Sequence, residues 1–233
     1  MNDLFIVRIF AYSVFPLLLA GAHILLDTNA RTTAHRIEIV VMYLLAISVG
    51  ANGLGGAFGH LFLSDLVAEG IGWETGSPFQ LEMGFANLAL GVLGIVAISR
   101  GRDFRLATII ATTVIGGGAT IVHLMDIASH GNLAPGNTIQ NIGNLLDPIL
   151  LITLTWWASR IQVEDKLAFS QWRSQQEPIM GLVAAGIGFG FGIGYAMNAL
   201  LLVTILGGLV GAGMGIMIRS SHGQHSNFSI EST

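Results

Sequence analysis

Cysteine is absent from the 233-residue chain, and charged residues make up only 10% of it. Without cysteine there is no disulfide, no thiol nucleophile and no Cys-ligated zinc or iron–sulfur centre, which leaves histidine and carboxylate as the main metal ligands. A soluble domain carries about 25% charged residues. So little charge cannot cover a surface that faces water. No basic patch exists and the net charge is −4, so nucleic acid is excluded as a partner.

Apolar sequence dominates instead, with 52% hydrophobic residues and a mean hydropathy of +0.70. A membrane span needs roughly 20 predominantly apolar residues. Residues 4–26 meet this, with Arg8 near the start and Pro16 inside. Ala20-Gly21-Ala22 could pass for a signal-peptidase site, but Met1-Asn2-Asp3 lacks a basic leader, so the segment reads as a retained first span. The second span runs over about 37–66, and Pro78 suits the first turn of a third over 78–98. Charged residues 100–105 separate this from a fourth over 106–127. The turn-rich stretch 131–137 leads to a fifth over 140–159. Residues 179–218 carry no charge and are about twice the length one span requires, so they fold back near 195–198 as spans six and seven.

These readings predict an all-α, polytopic helical membrane protein with about seven transmembrane helices. The expected organisation is a first helix and inner loop (1–35) and a four-helix core bundle of two hairpins (36–160). An inner linker (161–178), a Gly-rich helix pair (179–219) and a flexible tail (220–233) follow. Nine of the ten basic residues fall on alternate loops and the tail, and only Arg8 falls on the other side. The positive-inside rule then puts the N-terminus outside and the C-terminus inside the cytoplasmic (inner) membrane.

The two hairpins repeat one order of features. The first carries Gly55-Gly56, His60, Asp65, Glu69-Gly70 and Glu82; the second carries Gly117-Gly118, His123, Asp126, His130-Gly131 and Asn141. Asp65 and Glu69 share a helix face, as do His123, Asp126 and His130. Imidazole beside carboxylate suits a divalent transition metal or proton transfer, although the paired Glu-x-x-His of di-iron bundles is absent. His60, Glu82 and His123 lie in apolar sequence, where an ionisable group costs roughly 2.5–3.5 kcal/mol and usually faces the bundle interior. They are therefore expected to converge on a shared pocket, as ligand, proton-relay or metal-binding residues. Asp65, Glu69, Asp126 and His130 are expected nearer the water-facing rim, where solvation alone also accounts for them. Asn52 and Asn87 suit interhelical hydrogen bonds, and Asp147, before Pro148, suits either the pocket or an amide partner. Trp73 and Trp156-Trp157 read as interfacial anchors, with ligand stacking as the alternative for Trp73.

Gly186/190/194 and Gly207/211/215 recur every four residues, the pattern of closely packed membrane helices or of a subunit contact. The glycines at 186, 188, 190, 192 and 194 do not make a dinucleotide site, which requires a βαβ unit.

The run Ile71-Gly72-Trp73, Gly76-Ser77-Pro78-Phe79-Gln80, Glu82, Gly84–Leu88, with Gly131-Asn132 and Ala134–Asn137, resembles an uncharacterised family of small prokaryotic membrane proteins, over roughly 36–155. The four-span core is also distantly similar to DoxX-like proteins, some of them associated with quinone-linked oxidoreductases. That likeness implies a four-helix bundle and permits a redox role without assigning residues; a quinone, or a divalent transition metal on the histidines and carboxylates, is the cofactor compatible with it. Three classes of function are compatible with these residues. One is a ligand- or metal-binding, quinone-linked membrane protein; another is a proton-coupled transporter or channel. The third is a non-catalytic subunit that meets a partner, or its own copy, through the Gly-rich helices. The lipid bilayer is the partner common to all three.

Overall fold

The computed structural model describes residues 2–27, 32–161, 181–190 and 204–214. Every described element is helical. Helix α1 (Asn2–Ile9), a π-helical turn (Phe10–Val14) and α2 (Phe15–Leu26) form one continuous rod. A second rod joins α3 (Thr33–Tyr43), a longer π-helical stretch (Leu44–Ala51) and α4 (Asn52–Phe62). Short α5 (Ser64–Ile71) follows, then α6 (Phe79–Ile98), α7 (Arg102–His130), the single turn α8 (Pro135–Thr138) and α9 (Gln140–Arg160). Two short apolar helices, α10 (Gly181–Gly190) and α11 (Thr204–Met214), complete the described chain.

Among the described residues, four helices are long and apolar enough to cross a membrane: Phe5–Leu26, Thr33–Phe62, Phe79–Ile98 and Arg102–His130. Helix α9 covers the expected fifth span but is not among them, because Asn141, Asn144, Asp147 and Pro148 dilute its apolar content. Only α10 and α11 of the expected sixth and seventh spans are described; the fold-back at 195–198, most of the linker 161–178 and the tail 220–233 lie outside the described residues. The second rod is the axis of the bundle, 78% buried, against 22–33% for the other three long helices. Those three turn Phe85, Val92, Ile110, Val114, Ile121 and Leu124 outward. A wide band of exposed leucine, isoleucine, valine and phenylalanine is stable against lipid and unstable against water.

Glycine decides how closely the central helices approach. The most extensive contact is that of α4 with α6. A Cβ on Gly53 would stand 2.5 Å from Gly91 N, and one on Gly94 would stand 2.5 Å from Gly50 N. Backbones this close exclude any side chain, the arrangement by which membrane helices gain dispersion contacts without a hydrophobic driving force. The second hairpin is α7 on α9, where Gly116 faces Asn144 O. Gly186 and Gly207 meet backbone to backbone between α10 and α11. The first rod packs through α2 against α3, and Ser48 Oγ donates to Tyr12 O (2.5 Å), tying the two π-helical stretches together.

The two ends of the bundle are held differently. At the basic end, buried Arg105 donates from Nε to Ala97 O (3.0 Å) and from Nη2 to Ile98 O (2.9 Å), capping α6, while Nη1 pairs with Glu38 Oε2 (2.5 Å). Side chains of this kind satisfy the carbonyls that a helix C-terminus leaves open. At the opposite end Gly131 (φ +64°) ends α7, and Pro135 opens α8. Gly136 seats against Gly70 O, where a Cβ would come within 2.7 Å. This joins the tips of the two hairpins.

Candidate functional site

A cavity of about 490 Å³ runs between the first rod, the second rod, α6, α7 and α9. Its wall follows the second rod from Ser48 to His60, a rise of roughly 18 Å. Apolar groups such as Phe58, Leu90, Ile115 and Val122 line most of it, with the polar side chains Arg8, Asn52, Asn87, Gln140, Asn144 and Asp147 interspersed. The volume lies within the range of about 300–1,000 Å³ usual for small-molecule sites.

His60 and His123, one from each hairpin, line the end of the cavity nearest the tips. Each is held by an amide on the returning limb of its own hairpin. His60 Nδ1 lies 2.6 Å from Gln80 Oε1, and His123 Nδ1 lies 2.7 Å from Asn137 Oδ1. Gln80 and Asn137 are themselves buried, at 3% and 0% exposure. Trp73 joins the two halves: its ring stacks on His123 (centroids 5.4 Å) and meets Phe79 edge-on (5.5 Å). Its indole N–H donates to Asp126 Oδ2 (2.8 Å), so it anchors the hairpin tips as well as forming the end wall.

Asp126 is the hub of this end. Oδ2 accepts from Trp73, from Asn132 Nδ2 (2.7 Å) and from Asn137 Nδ2 (3.1 Å), while Oδ1 meets His130 Nδ1 (2.8 Å). Several N–H donors are what a partly buried carboxylate needs in place of water. Asn132 reaches back to Ile71 O (3.0 Å) and Gly72 O (3.3 Å), and its Oδ1 accepts from Ala134 N (3.1 Å). The loop after α7 thus grips the end of α5.

Other expected site residues fall elsewhere. Glu82 is exposed and does not line the cavity. The buried stripe of α6 runs through Gln80, Gly84, Gly91 and Gly94, and Glu82, two residues past Gln80, lies about 200° round the helix. In the first turn of α6 its charge instead complements the helix dipole. Asp65 and Glu69 share the exposed face of α5, away from its buried Ala68, Gly70 and Ile71. His130 is 74% exposed and touches the network only through Asp126. Among the described residues no three His, Asp or Glu side chains could hold a metal ion, so the expected His60–Glu82–His123 metal set does not assemble.

Sequence reading left the first helix outside the core, yet its Phe5, Arg8 and Tyr12 line the cavity, and Arg8 Nη2 donates to Asn52 Oδ1 (3.2 Å). Asp147 also lines it: Oδ2 accepts from Ser13 Oγ (3.1 Å), while Oδ1 is buried with no hydrogen-bond partner among the described residues. Gln80, Asn132 and Asn137 were not singled out, although an amide buried at a helix start or in a glycine-rich turn is itself a signal of a polar partner.

The apolar helices are those of a membrane protein, with a partly open, mostly apolar cavity between them. The chain belongs to the family of unknown function DUF6790, whose model matches residues 7–164. That stretch takes in most of the first rod, both hairpins and every cavity residue named above except Phe5. Neither the curated proteins nor the solved structures contain a significant match to it.

Proposed function

We propose that the cavity is a binding site for a small amphiphilic molecule of the quinone class, in a seven-span protein of the cytoplasmic membrane with its N-terminus outside. The observation that carries this reading is the cavity itself. It is elongated along the helices and mostly apolar, with His60, His123 and Trp73 gathered at one end. A ring with polar substituents fits the histidine end, and an isoprenoid or acyl tail fits the apolar length below it. The basic alternation supports the orientation, with the Trp73–Asn132 end outward and Arg105 inward. The closely packed α10–α11 pair offers a surface for a partner subunit or a second copy.

Mass spectrometry of the lipid extract from purified protein tests the ligand. Gly118 lines the cavity and has open space around its Cβ position, so Gly118→Phe can place a ring at the cavity wall with no obstruction at Cβ. A quinone-class lipid at near-stoichiometric amount in wild type, and depleted in Gly118→Phe, is the expected result. Equal recovery from both, or none from either, overturns the reading.

Asp147 favours a second reading, proton-coupled transport, because an intramembrane carboxylate with one unpartnered oxygen can take up a proton. Proton flux in proteoliposomes that is lost in Asp147→Asn would favour transport over ligand storage.

A further inference from the structure

Given a ligand in the cavity, as proposed above, we infer that His123 selects a hydroxyl-bearing ring, the quinol or phenol form, over a quinone or an ether. Hydrogen-bond direction carries the inference. Asn137 Nδ2 faces two acceptors, Asp126 Oδ2 (3.1 Å) and Asn132 O (2.8 Å). Turning the amide over would set its oxygen against both, so the orientation is determined by its partners rather than assumed. Asn137 Oδ1 then faces His123, and a carbonyl oxygen can only accept, so the proton on His123 sits at Nδ1. A neutral imidazole with its proton at Nδ1 carries a lone pair at Nε2.

The first hairpin repeats the arrangement, with Gln80 Oε1 on His60 Nδ1. Neither Nε2 has a partner among the described residues, and neither is one of the buried polar atoms sealed inside protein. Both rings line the cavity. Gln80 makes no second hydrogen bond among the described residues that would fix its amide as Asn137 is fixed, so the acceptor that the geometry determines is His123 Nε2, beside the aromatic face of Trp73. An O–H donor on a ring satisfies such an acceptor. A quinone carbonyl or an ether oxygen sets lone pair against lone pair at His123 Nε2, the mismatch that gives polar sites their selectivity. Asp126 and Asn137 are positioning residues, because they act on the ligand only through the tautomer of His123.

Competition binding to the full-length protein in lipid nanodiscs tests this, under anaerobic reducing conditions for the diol. The probes are a short-chain alkyl hydroquinone, its dimethyl ether and the matching benzoquinone. The hydroquinone is expected to bind at least tenfold more tightly than the other two, and His123→Phe is expected to narrow that preference to within about threefold. Comparable binding of all three overturns the inference and leaves the cavity as a ligand site; binding of none overturns the ligand site as well. A second measurement needs no variant to fold: ¹⁵N spectra of histidine-labelled wild type are expected to show His123 protonated at Nδ1 and lone-paired at Nε2. His123 protonated at Nε2 would overturn the inference. In Asn137→Leu the Nδ1–H population of His123 is expected to fall together with the hydroquinone preference, a coupled change that a purely structural role for Asn137 would not produce.

Discussion

Replacing Gly53 with alanine adds a single methyl group at the close crossing of α4 and α6. That carbon would stand 2.5 Å from Gly91 N, 2.7 Å from Gly91 Cα and 2.9 Å from Asn87 O. Comfortable carbon contacts lie at about 3.5–4.0 Å, so α4 and α6 must separate by about 1 Å at this point. All three obstructing atoms are backbone, so no rotamer change relieves the clash, and the neighbouring approach of Gly94 to Gly50 N must loosen too. Overpacking of this kind costs about 1–3 kcal/mol, and the better helix propensity of alanine returns at most about 1 kcal/mol. Gly117, in the middle of α7, has nothing within 4 Å of its Cβ position and serves as the control. There alanine gains the propensity alone, about 1 kcal/mol of stabilisation. The two substitutions are chemically identical and should move stability in opposite directions, as read by denaturant titration in detergent micelles. If Gly53→Ala proves as stable as wild type, the close crossing of the central hairpin is wrong.

Three further outcomes follow from the same geometry. Arg105→Lys keeps the charge but cannot span Glu38 Oε2, Ala97 O and Ile98 O at once; a loss of about 1–3 kcal/mol in the same titration is expected, and an unchanged midpoint would argue against the cap. Gly72 and Gly76 both have φ near +80°, but only Gly72 faces Asn132, whose Oδ1 would lie 2.6 Å from a new Cβ. Alanine at either costs about 1–2 kcal/mol of backbone strain, and a larger loss at 72 than at 76 would measure the link between hairpin tips. Single cysteines at Thr75 and Leu133 should react with a membrane-impermeant reagent in intact cells while one at Gly101 does not; labelling at 101 would reverse or break the proposed orientation.

The amino-acid sequence by itself determined the class of the protein. Scarce charge and long apolar runs leave only a membrane as solvent, and the backbone then has to satisfy its own hydrogen bonds within helices. Sequence also marked where helices begin, at Pro78 and Pro135, and where α7 ends, at Gly131, and it suggested the two hairpins as copies of one pattern. It singled out His60 and His123 because an imidazole in an apolar run demands a partner, but it could not name that partner. Gln80 and Asn137 are distant in sequence and sit in turns that look like ordinary loop chemistry. Glu82 looked as strongly placed as the histidines. Only the crossing of α4 with α6 decided which face of α6 turns inward, and the glycines took that face. The first rod shows the same division: Arg8 was visible as a charge near a span's end, yet its bond to Asn52 exists only because Phe5, Gly70 and Gly136 pack that rod against the hairpin tips. Periodicity reports which residues share a face of one helix. Which face meets the cavity is settled by the neighbouring helices, through contacts between residues far apart in the chain.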